Sequence, residues 1–141
     1  MARFPSRTLQ AIDATHFLYL RAGERHRFIP VWVVVVDGRV LVRSWNDKAG
    51  GWRRAFAREP HGAIQLGKGK RELPVLAAPV RGARLLDAMD AACAEKYTTP
   101  ANLAYVRGFR TARRRAATVE LVPAVRRGST EAGAPSIRTC R

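Results

Sequence analysis

From residue 28 to residue 36 the chain reads FIPVWVVVV, almost wholly β-branched or aromatic. An apolar run of that length, without polar alternation, predicts a strand buried on both faces. Asp37-Gly38 follows. It is a strong hairpin signal, because a type I′ turn needs positive φ at both central residues. Residues 39–45 return with alternation, Val40 and Val42 on one face, Leu41 and Arg43 on the other. Further strands are predicted over 15–20 (THFLYL), 63–66, a stretch ending near 76, and 118–122 (TVELV). Period-3.6 patterning marks 83–97 as the clearest helix. Leu85, Leu86, Met89, Ala92, Cys93 and Tyr97 form its apolar stripe, and Arg84, Asp87, Asp90 and Glu95 lie off it.

Shorter helices are expected over 6–13, capped by Ser6, and over 100–106, where Thr99 caps and Pro100 opens the first turn. A basic helix over 52–58 is ended by Glu59-Pro60. Residues 1–5 read as loose, 21–27 as a polar hairpin loop and 107–115 as a basic connector. Gly67-Lys68-Gly69-Lys70 reads as a hairpin turn, since it lacks the spacing of a phosphate-binding P-loop and no helix follows it. Six strands, mostly in antiparallel hairpins, with helices between the later ones, predict a mainly β, α+β domain over 1–123. Its form is a small antiparallel barrel with covering helices. Residues 124–141 read as a disordered basic tail.

The charge narrows the choice of partners. The chain of 141 residues carries 26 Lys plus Arg against 11 Asp plus Glu, a net charge of +15, and 22 of the basic residues are arginine. Such a balance favours nucleic acid, anionic surfaces or phosphorylated ligands. The arginine excess suits bidentate phosphate recognition, and also a drift of composition toward Arg and Ala. The charge is spread out, with a net of +8 over 1–106 and +7 over 107–141. Cys93 and Cys140 make no disulfide framework, and no Cys/His spacing resembles a zinc site. His16, His26 and His61 are isolated in sequence and read as surface or core residues. The N-terminus lacks the apolar segment of a signal peptide, and no run approaches the roughly 18 residues of a bilayer span. A soluble, cytoplasmic protein without membrane contact is expected.

Candidate chemistry gathers between 43 and 54, RSWNDKAGGWRR. Lys48, Arg53 and Arg54 surround the start of the 52–58 helix, and no acid lies in its first turn. Cations there are unfavourable by roughly 0.3–1 kcal/mol each against the helix dipole. Asp47 offsets part of this if it caps the helix. A bound anion accounts for the pattern better: glycine-flanked backbone N–H groups, the Ser44 hydroxyl and guanidinium forks from Arg43 and Arg54 would form a phosphate site. The plainer alternative is a solvated basic turn.

The string VWVVVVDGRVLVRSW, with Trp52 seven residues beyond Trp45 and Arg54 two further on, resembles an uncharacterised bacterial family. That family is a domain of unknown function placed in the FMN-binding split-barrel superfamily. Residues 9–13, the 62–71 hairpin, the helix DAMDAACAEKY and the strand RAATVELVP match too, so the resemblance covers about 7–123. It implies a six-stranded antiparallel split β-barrel. It also implies FMN, as in pyridoxamine phosphate oxidases, or a deazaflavin coenzyme, as in deazaflavin-dependent nitroreductases. The cofactor phosphate would lie near the end of the second hairpin strand.

On this mapping the cofactor-binding residues are Arg43, Ser44, Trp45, Lys48, Trp52 and Arg54. Arg53 stands where the family usually has an aromatic residue. Trp32 and Trp45 either border the flavin ring or pack in the core. No acid–base pair or nucleophile stands out, which suits hydride transfer by a cofactor to an unknown small molecule. Two alternatives remain. One is a nucleic-acid-binding module built on Arg113 to Arg115 with Tyr105 and Phe109, although no recognition motif appears. The other is a cofactor-free barrel acting through a protein partner. The resemblance further implies pairing across a barrel face, giving a homodimer.

Overall fold

The apolar and alternating segments form six strands: β1 (Phe17–Ala22), β2 (Ile29–Val36), β3 (Arg39–Arg43), β4 (His61–Gln65), β5 (Leu73–Pro79) and β6 (Thr118–Pro123). This computed structural model describes residues 3–124. The strands pair antiparallel in the order β1-β2-β3-β6-β5-β4, and β4 closes back on β1. The result is the predicted six-stranded antiparallel barrel, closed, so that each strand has two neighbours. Asp37 and Gly38 both have positive φ, 51° and 76°, as the β2–β3 turn requires.

Side-chain alternation divides the protein into two cores. Leu18, Leu20, Val33, Val40, Val42 and Leu121 point into the barrel. Val34 and Leu41 point outward and meet Met89 and Cys93 of α3 (Ala83–Lys96) and Tyr97, the residue that ends it. β2 is therefore covered on both sides, as its unbroken apolar run predicts. Ile12 of α1 (Ser6–Ala14) and Ala55 and Phe56 of α2 (Trp52–Arg58) join the interior cluster. α4 (Pro100–Gly108) and α5 (Ala112–Arg115) complete the five helices among the described residues.

Several local expectations need correction. The cap position of α1 is Pro5, with no side-chain hydrogen bond, and Ser6 is already helical. Phe4, in the segment expected to be loose, is buried in the interior cluster. The 107–115 connector contains α5, whose cap Thr111 accepts from the Arg114 N–H. Thr99 does cap α4, accepting from the Asn102 N–H. The expected tail over 124–141, Cys140 included, lies outside the described residues except for Ala124.

One feature of the barrel shapes the site. β2 pairs with β1 only up to Phe17↔Trp32, and with β3 only from Val33↔Val42 onward. The two partners thus part company at Trp32–Val33. There the Tyr97 hydroxyl accepts from the Val33 N–H at 3.0 Å and donates to the His16 carbonyl at 2.8 Å. It stands where the next β1–β2 ladder bond would be. The Lys96 ammonium donates to the Val33 carbonyl at 2.8 Å. Burial pushes the Tyr97 phenol well above its ordinary pKa and presses that of Lys96 down.

Candidate ligand cleft

Beyond β3 the chain leaves the barrel. The Ser44 N–H makes a bond to the Ala117 carbonyl at 3.1 Å, and an irregular loop then leads to α2. Asp47 turns that loop with a positive φ of 47°. Its N–H donates to Ser44 Oγ at 2.9 Å. Its carboxylate accepts from Arg53 Nε at 2.6 Å and Nη2 at 2.8 Å. The Arg53 hydrogen bonds hold the Asp47 carboxyl below its usual range. Asp47 therefore does not cap α2, whose cap position is Gly51 with no side-chain hydrogen bond. The bidentate charged pair is stronger than a single bond to a backbone N–H. It also gives a role to Arg53.

A cleft of about 770 Å³ opens between this loop, the start of β2 and α4. Its walls carry Phe17, Trp32, Trp45, Trp52, Tyr105 and Phe109, and Arg27 and Lys48 also line it. Among the described residues, Asp47 is the only carboxylate in the lining, and Arg53 already neutralises it. A larger hollow of about 910 Å³ lies around Arg21 and His61. Its charges are of both signs, with Arg21 paired to Glu72 at 2.8 Å, and the His61 ring lies 2.9 Å from Glu59. It has no aromatic wall, so the first cleft is the better candidate.

Arg43, Ser44, Trp45, Lys48 and Trp52 all line the cleft, whereas Arg54 does not. The Arg54 side chain is 45% exposed and lies 3.8 Å from Asp47. Lys48 is exposed, and Trp52 is half-buried against the interior cluster. Arg43 is a buried tie, its side chain 0% exposed. Its Nε donates to Thr118 Oγ1 at 2.7 Å, and its Nη1 to Asp90 at 2.6 Å and the Phe109 carbonyl at 2.9 Å. Nη2 is sealed off without a partner among the described residues. The expected phosphate fork is thus engaged by α3, β6 and the residue that follows α4, because helices cover the Leu41–Arg43 face. Trp32 stacks on Tyr97, centroids 3.9 Å apart with 3° between planes, while also lining the cleft.

The basic triplet separates into three roles. Arg113 is exposed. The Arg114 guanidinium lies 3.6 Å over the Trp45 ring. Arg115 binds Asp87 at 2.8 Å and also Asp90. Sequence patterning named Tyr105 and Phe109 only for a nucleic-acid surface, and it did not reveal Arg27 as a wall residue or the Arg114 contact, because each depends on how distant segments pack.

A family model described as "Uncharacterized protein conserved in bacteria (DUF2255)" matches residues 8–121. The chain belongs to this family. No curated protein matches it. This DUF2255 chain is similar in structure to the conserved hypothetical protein Rv2991 from Mycobacterium tuberculosis. The TM-score is 0.57 and the identity 18%, over 89% of this chain and 83% of that one. At that identity the likeness is one of fold. Among the described residues, no helix is long and apolar enough to cross a membrane.

Proposed function

We propose that the cleft binds a flat, phosphorylated cofactor, FMN or a deazaflavin coenzyme, and that the protein is a hydride-transferring oxidoreductase acting on a small molecule. The observation that carries this reading is the lining: aromatic walls, basic residues, and no free carboxylate. The volume of about 770 Å³ lies within the roughly 300–1,000 Å³ of small-ligand pockets. Trp32 and Trp45 offer ring surface, while Lys48 and Arg27 are the cations of the lining available to a phosphate. When bound, such a cofactor supplies the hydride chemistry, and the residues here bind it, orient it and exclude water. Likeness to the FMN-binding split-barrel superfamily supports the same reading by analogy. The homodimer implied by that likeness belongs to the proposal as well.

Titration with FMN, the deazaflavin coenzyme and riboflavin tests it. Saturable binding of FMN or the deazaflavin is expected, with quenching of tryptophan fluorescence. Riboflavin, which lacks the phosphate, should bind at least about tenfold more weakly, since a charged hydrogen bond contributes roughly 1.5–3 kcal/mol. Lys48→Ala and Arg27→Ala should each bring FMN toward riboflavin. Failure of every flavin and deazaflavin to saturate overturns the proposal. Nucleic-acid binding has less support, because Arg114 and Arg115 are engaged within the fold and Phe109 is buried. Steeply salt-dependent RNA retention by a colourless protein would favour it instead.

A further inference from the structure

We propose that Arg114 is the positioning residue of the cleft, fixing the Trp45 indole as a rigid platform on which a flat ligand stacks. The ligand half of this proposal rests on the function proposed above.

Trp45 follows the end of β3 by two residues and lies outside every strand and helix. Regular backbone structure therefore does not hold its ring in place. Arg114 does so through three contacts. Its guanidinium carbon stands 3.6 Å from the Trp45 ring centroid. Its Nε donates to the Trp45 carbonyl at 2.8 Å, and its Nη1 to the Gly108 carbonyl at 3.2 Å. One side chain thus joins the indole, the backbone that carries it and the last residue of α4. Gly108 is the second part of the device, since a Cβ there would collide with the tip of the Trp45 ring. Tyr105 and Phe109 meet the ring edge-on, with centroids 4.9 and 5.4 Å away.

Trp45 lines the cleft and Arg114 does not, so the guanidinium lies behind the ring. Arg114 meets two carbonyls and a π face, and its positive charge adds to the field that attracts an anionic ligand. Holding the ring in advance removes the cost of ordering one side chain on binding, roughly a three- to tenfold gain in affinity.

Fluorotryptophan incorporation gives signals from Trp32, Trp45 and Trp52, and Trp45→Phe assigns the one of interest. In Arg114→Met the Trp45 fluorine resonance alone should shift and change width, with the thermal midpoint nearly unmoved. FMN affinity should fall roughly three- to tenfold. Arg114→Lys keeps the charge but lacks the planar fork, and it should not restore either property. An unchanged Trp45 resonance in Arg114→Met overturns the proposal. So does movement of all three resonances together with a falling midpoint, which marks a general structural role. FMN binding that is tight in the wild type and unchanged in Arg114→Met overturns the positioning role alone. If FMN and the deazaflavin fail to bind even the wild type, the proposed function is wrong and the platform's ligand role falls with it.

Discussion

A single phenol marks the place where two strands separate. The Tyr97 hydroxyl bridges Val33 and His16 in the position of a ladder bond. Replacing Tyr97 with Phe keeps the ring and its stack on Trp32 but leaves a buried N–H unsatisfied. That should cost about 1–3 kcal/mol, read from the urea midpoint. A midpoint equal to wild type would show that the hydroxyl holds nothing. Asp90 is the matching case on the opposite charge. It takes Arg43 and Arg115 together, and Asp90→Ala strands the buried Arg43 guanidinium. A loss of about 3–5 kcal/mol is expected from an unpaired buried charge. Retention of full stability in that variant would mean that Thr118 and the Phe109 carbonyl suffice for Arg43. Cys93 has no comparable part: burial raises its thiol pKa to about 11, so it behaves as core.

The loop between β3 and α2 carries a bidentate ion pair. Asp47 holds Arg53 with both oxygens and turns the chain with a left-handed backbone. Its carboxyl pKa is lowered, first by the Arg53 hydrogen bonds. A lowered folded-state pKa means that the pair's contribution is complete above the unfolded value, about 4. It is lost as pH falls through the folded value. Denaturant midpoints measured downward from pH 5 should therefore decline more steeply in the wild type than in Asp47→Asn. Parallel curves would show that the pair is immaterial to stability. The same measurement bears on the cleft, because this loop carries Trp45 and Lys48. Asp47 looked like a helix cap in the sequence because cap residues and turn residues share a composition, and the fold decided between them by giving its carboxylate to Arg53 and the cap position to Gly51.

Closure of the barrel rests on a backbone approach that excludes a side chain. At Gly62 in β4 a Cβ would strike the Arg21 carbonyl of β1 and the Phe56 ring of α2. Gly62→Ala should lower stability by at least about 1–3 kcal/mol, as overpacking does. An unshifted midpoint would show that β1 and β4 can separate locally at little cost. The net charge of +15 does not by itself say which cations face a ligand. Arg43, Arg53 and Arg115 are paired with acids inside the fold, and Arg114 is stacked. Those four guanidiniums are held within the fold, so the cations that face a ligand are others of the 26 basic residues.

Local patterning was enough for the strands, the main helix and the β2–β3 turn, because burial on one or both faces writes a period into the chain and an Asp-Gly turn has few conformations. The barrel followed from six such strands in antiparallel succession. The cleft did not follow in the same way. Arg43 and Arg54 have the same chemistry in a string of letters, yet one is sealed beneath helices and the other faces outward. Arg114 reaches Trp45 across 69 positions, and no local signal spans that distance. Period and turn chemistry act between near neighbours, whereas a wall of rings and cations exists only once distant segments are packed together.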